Sequence, residues 1–144
     1  MPGWGTGGFE NEDAQRLLSE LKSLRLEDVR LLLARAAGQE DYLEAKDAGI
    51  TIAAAEAIAA LAASEESPRS SSLPGQILDW IGQNNLMGQN KAEVAADLPG
   101  LRKLAHRAVE RVRTNSELKD LWLQADGLNE WSATLKDLEQ RLTL

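Results

Sequence analysis

Ala53-Ala54-Ala55-Glu56-Ala57-Ile58-Ala59-Ala60-Leu61-Ala62-Ala63 is the stretch on which the fold turns. Alanine has the highest helix propensity, so the segment reads as helix. Ten of its eleven residues are apolar. A helix that is apolar on nearly every side must be covered on several sides, which makes it the centre of a bundle. Glu56 is the exception. A carboxylate in that setting is costly unless it is paired or hydrogen-bonded.

The segments on either side repeat the helical signal. Upstream, residues 41–48 read as a short helix ending at Gly49, with the Ala-rich helix starting at Ile50. Val29, Leu32, Leu33 and Ala36 recur at helical spacing from near Glu27, and Gly38 is a natural stop. Ala14, Leu17, Leu18, Leu21 and Leu24 form an earlier stripe, with Asn11 as N-cap and Glu12 and Asp13 in the first turn, where the helix dipole favours acids. Residues 1–9 are Gly-rich and non-periodic.

Downstream, the Ser/Pro-rich stretch 64–75 reads as a loop. A helix through Ile77, Leu78, Trp80 and Ile81 follows, then a turn-rich stretch. Asn90 with Glu93 resembles a capping box for a short helix. Pro99 suits the first turn of the next one, whose stripe is Leu101, Leu104, Ala105, Ala108, Val109 and Val112. Asn115 ends it. Ser116 caps a helix through Leu118, Leu121 and Trp122 that Gly127 closes. Asn129 caps the last, with stripe Trp131, Leu135, Leu138 and Leu142. No segment alternates apolar and polar residues with β-branched enrichment, and no heptad array is present. The expectation is an all-α irregular bundle of six to eight helices around the Ala-rich helix, in a single domain spanning residues 1–144.

Length and composition agree. A chain of 144 residues is one domain by size and buries roughly 70% of its unfolded surface without staples. The absence of cysteine excludes disulfides, thiolate metal sites and cysteine nucleophiles. No signal-peptide pattern opens the sequence, and no apolar run approaches the roughly 20 residues that a bilayer requires. A cytoplasmic location without membrane contact is expected. The net charge of −7 is unevenly placed: residues 1–66 carry 13 Asp/Glu against 6 Lys/Arg, and residues 67–144 carry 10 of each. An acidic field of this kind repels nucleic-acid phosphates and favours a basic protein partner.

The opening Trp4-Gly5-Thr6-Gly7-Gly8-Phe9-Glu10-Asn11-Glu12-Asp13-Ala14 resembles a bacterial family known as domain of unknown function 4259. Its members characteristically begin Trp-Gly-x-Gly-x-Phe, then an acidic residue, Asn, an acidic pair and Ala. The likeness recurs in the Ala-Ala-Ala-Glu-Ala run at 53–57 and at Asn115-Ser116-Glu117-Leu118 with Leu121-Trp122. Arg16 and Leu17 depart from the Asp and aromatic residue that often follow. The resemblance implies a helical fold and domain limits, and it implies no activity.

Glu56 invites two readings. One is a site carboxylate, acting as general base or metal ligand. The other, which is preferred, is a buried acceptor for the backbone N–H groups of residues 5–8 and the indole N–H of Trp4. Trp4, Gly5, Phe9, Asn11, Asp13, Glu56, Asn115 and Glu117 are the candidate binding residues. The oxygens of Asn11, Asp13, Glu56, Asn115 and Glu117 could hold a hard cation, but ordinary helix capping explains the same residues, so neither metal nor cofactor is expected. His106, the only histidine, reads as a half-exposed surface residue. Arg102, Lys103, Arg107, Arg111 and Arg113 read as a solvated basic face pairing with the acidic first half. Trp122 and Trp131 read as core, and Trp4 as a plug in the bundle. The expected function is non-catalytic binding of a macromolecular partner, with an immunity- or antitoxin-like role as its concrete form. The alternative is an enzyme or a small-ligand or metal-binding domain centred on Glu56.

Overall fold

The apolar stripes emerge as buried helix faces. The computed structural model describes residues 12–20, 26–38, 43–66 and 91–143. They form six helices: α1 (Glu12–Glu20), α2 (Leu26–Gly38), α3 (Ala45–Glu66), α4 (Lys91–Thr114), α5 (Glu117–Gln124) and α6 (Leu128–Leu142). No strand occurs among the described residues, so the fold is all-α. The helix expected through residues 77–81, with Trp80, lies outside them, as do the N-cap Asn11 and the turn at Asn90.

Helix α3 is the hub. Every residue from 51 to 61 is buried, and α3 packs against each of the other five described helices. The alanines make this possible, because side chains one carbon long let several helix backbones approach one axis. The bulky filling comes from the neighbours: Val29 and Leu33 on α2, Trp131, Leu135, Leu138 and Leu142 on α6, and Leu43 just before α3 are all essentially inaccessible. Ile58 and Leu61 supply bulk from α3 itself. Each contributes about 1.5–3 kcal/mol through burial.

Two expected helix boundaries are absent. Gly49 does not end a helix: α3 runs through it from Ala45. A glycine inside a helix costs about 1 kcal/mol, and burial of Ala48 and Ile52 on either side outweighs it. Pro99 does not begin one either, because α4 is continuous from Lys91 to Thr114. Proline removes one backbone donor and crowds the preceding turn, at about 3 kcal/mol. Pro99 and Gly100 lie on the solvent side, where water can replace the missing bond, while Leu98 and Leu101 are buried across the break. Packing on both sides of the proline holds the helix together.

The α4–α5–α6 corners follow side-chain chemistry closely. Ser116 is the N-cap of α5: its Oγ accepts from the Lys119 N–H at 3.1 Å and donates to the Val112 carbonyl at 2.7 Å. Helix α5 ends in a Schellman arrangement, with Gly127 N–H donating to the Trp122 carbonyl and Asp126 N–H to that of Leu123. The left-handed position is taken by Asp126, at φ 59°, and not by the glycine. Gly127 is needed for space instead, since a Cβ there would lie 2.6 Å from Trp122 Cε3. Gly127 also serves as N-cap of α6, so Asn129 falls inside the first turn.

Candidate functional site

The position of Glu56 in the middle of α3 drives its carboxylate into the bundle, where it is 7% exposed. Its partner comes from α6. Arg141 Nη1 donates to Glu56 Oε2 and Nη2 donates to Oε1, both at 3.0 Å. This two-pronged geometry matches the planar guanidinium to the planar carboxylate. Arg141 Nε is held in turn by Asp137 Oδ2, one helical turn back, at 3.1 Å. The hydrogen bond that Arg141 donates to Glu56 raises the Arg141 pKa above its ordinary value against the opposing effect of burial, and the charges of Glu56 and Asp137 add to it.

A second buried carboxylate lies nearby in sequence on α6. Glu139, also 7% exposed, accepts from Arg113 Nε at 2.6 Å and from Arg113 Nη2 at 3.3 Å. That bond raises the Arg113 pKa, burial opposes it, and the charges of Glu139 and Glu110 reinforce it. Arg102, eleven residues earlier on α4, caps the other end of α6. Its guanidinium donates to the carbonyls of Arg141, Leu142 and Thr143 at 3.2, 3.3 and 2.8 Å. A cation at a helix C-terminus satisfies carbonyls left without intrahelical donors.

These contacts correct the reading of α4 as one basic face. At 100° per residue, Arg102 and Arg113 share a flank that turns to α6, whereas Lys103, Arg107 and Arg111 lie on another. Arg102 and Arg113 bond to the last helix. His106 lies on the α6-facing flank, its Nδ1 4.0 Å from Glu110 Oε2. Sequence reading gave it no partner, although the i, i+4 spacing of His106 and Glu110 was the available signal.

Glu117 is placed by the Ser116 cap at the start of α5. From there its Oε1 accepts the Ala45 N–H at 2.9 Å, and its own N–H donates to the Leu43 carbonyl at 2.8 Å. The two bonds tie the first turn of α5 to the first turn of α3. Asn115 is exposed at the corner, its carbonyl accepting from Arg111 Nε at 3.2 Å. Glu56 and Glu117 therefore serve different contacts: one to α6, the other to the start of α3. Trp4, Gly5, Phe9 and Asn11 lie outside the described residues, as does the side chain of Asp13, and so does the expected bond between Glu56 and the opening segment. Trp122 and Trp131 are core, at 4% and 2% exposure.

Residues of α1, α2 and α3 line a groove of about 380 Å³: Arg16, Leu17, Asp28, Leu31, Leu32, Arg35 and Ile50. Leu31 is 57% exposed there. Glu56 does not line it. No described helix is long and apolar enough to cross a membrane.

The family described as Domain of unknown function (DUF4259) matches residues 3–134, and the chain belongs to that family. Curated proteins and solved structures offer no match.

Proposed function

We propose that this member of the DUF4259 family acts without catalysis, by binding a protein partner through the α1–α2–α3 side of the bundle. The carrying observation is the groove itself: an apolar floor of Leu17, Leu31, Leu32 and Ile50 with Arg16, Asp28 and Arg35 among its lining, in the half of the chain that holds the whole net charge of −7. Apolar contact supplies affinity at such a surface. The excess acidic charge of residues 1–66 as a whole, and not the groove's own lining of two arginines and one aspartate, favours a basic partner. An immunity- or antitoxin-like role, in which a small acidic protein covers a basic toxin, has this chemistry. Glu56 is held by Arg141 and does not line this groove, which favours binding at the groove over chemistry centred on Glu56.

The test is co-purification of the full chain with the products of adjacent genes. Leu31→Asp serves as the control, since it places a charge on a residue already more than half exposed and leaves the core untouched. A partner captured by the wild type and lost with Leu31→Asp supports the reading. A partner whose binding is indifferent to Leu31 and to salt refutes the surface, and a chain that captures none of these products refutes the role.

A further inference from the structure

We propose that His106, Glu110 and Glu139 form a binding site for a divalent transition-metal ion of the zinc type, bridging α4 and α6. One ligand atom from each of the three lies within 4.8 Å of the other two. A tetrahedral ion with bonds of about 2.0–2.1 Å needs donors roughly 3.3 Å apart. The gap is small and the side chains that must close it are free to turn, because His106 and Glu110 have side-chain exposures of 36% and 54%. Both rise from one face of α4, one turn apart, the spacing that lets a single helix offer two ligands to one ion.

The third ligand is the fixed one. Glu139 comes from a different helix, its side chain is 9% exposed, and Arg113 holds it at 2.6 Å. A carboxylate has about four acceptor positions, and the guanidinium uses two. The pair thus leaves oxygen lone pairs for a metal while setting the orientation of the carboxylate, as outer partners do for metal ligands generally. The charges suit a divalent ion: two carboxylates stand against the single guanidinium of Arg113, and the imidazole ligates as a neutral base. The donor set also selects the class of metal. Magnesium and calcium call for six or more oxygens, whereas one imidazole and two carboxylates match zinc, cobalt or nickel. Three protein ligands leave a fourth position, toward solvent, for water or for a side chain from another protein.

The chain has one histidine, so its imidazole nitrogen signals report this position alone. Zinc chloride is titrated into the full chain and followed by those signals and by calorimetry. The expected result is saturable binding of one zinc per chain with a shift of the His106 nitrogens, weakened at least tenfold in both His106→Ala and Glu110→Gln. These variants alter exposed side chains and spare the Arg113–Glu139 pair. No shift of the imidazole signal in the wild type overturns the site. Zinc binding that survives in His106→Ala, or that depends on His106 but not on Glu110, overturns it equally.

Discussion

Replacing each half of the Glu56–Arg141 pair with methionine, an apolar side chain of similar length, separates the roles of the two charges. Arg141→Met leaves a carboxylate whose side chain is 9% exposed without the two donors it has on α6. Removing one partner of a buried ion pair costs about 3–5 kcal/mol. Arg141 is itself 44% exposed, so part of its attraction is screened and the expected cost is roughly 2–4 kcal/mol. Glu56→Met orphans the arginine instead. Its guanidinium can move into water and keep Asp137, while a methionine joins an apolar helix face, so the cost falls to about 0–2 kcal/mol.

The double variant is expected close to Glu56→Met, so the coupling energy has about the size of the Arg141→Met cost, roughly 2–4 kcal/mol. Urea unfolding followed by far-ultraviolet circular dichroism measures all three, with the dependence on urea unchanged in the two single variants. For a chain of this size Arg141→Met should lower Tm by roughly 6–12 °C. If Glu56→Met costs as much as Arg141→Met, or if Arg141→Met costs under about 0.5 kcal/mol, the carboxylate is held chiefly by something other than Arg141 and the reasoning fails.

Gly127→Ala places a methyl group against the Trp122 ring, which is buried and cannot retreat, and should cost about 1–3 kcal/mol in the same unfolding assay with a changed near-ultraviolet signal. Glu117→Ala removes the acceptor for the Ala45 N–H and should cost about 1 kcal/mol; Glu117→Gln, which keeps a carbonyl oxygen, should recover most of it. Arg102→Ala strips the donors from the last carbonyls of α6, and amide exchange of the final turn should quicken while that of α3 does not.

Periodicity carried most of the fold, because burial of an apolar stripe is a local property of the sequence. The stripes of α4 and α6 and the hub position of α3 follow from it directly. The two misplaced boundaries share a cause. Gly49 and Pro99 are local break signals of about 1 and 3 kcal/mol, and each is outweighed by burial on both sides that no local rule can see. The demand of Glu56 for a partner was legible, and the identity of the partner was not. Arg141 is 85 residues away and sits on the flank of a stripe, beside Leu138 and Leu142, where an arginine reads as solvent-facing. Similarly, Arg102 and Arg113 read as one charge run until their helical angles are set against α6.

The Ala-rich hub raises a question of specificity as well as stability. Alanine presents little relief, so neighbouring helices fit α3 in several rotations and translations with similar burial. A carboxylate in that surface is satisfied only where a guanidinium meets it, and both Arg141 prongs at 3.0 Å fix the rotation of α3 against α6. On this argument the pair contributes more to uniqueness than to free energy. The Glu56→Met, Arg141→Met double variant should remain folded and helical, yet bind a hydrophobic dye and show broadened amide and side-chain resonances along α3 and α6. A double variant with sharp, well-dispersed resonances and no dye binding would place the specification of register in the shapes of Trp131, Leu135, Leu138 and Leu142 alone, and would remove this role from the ion pair.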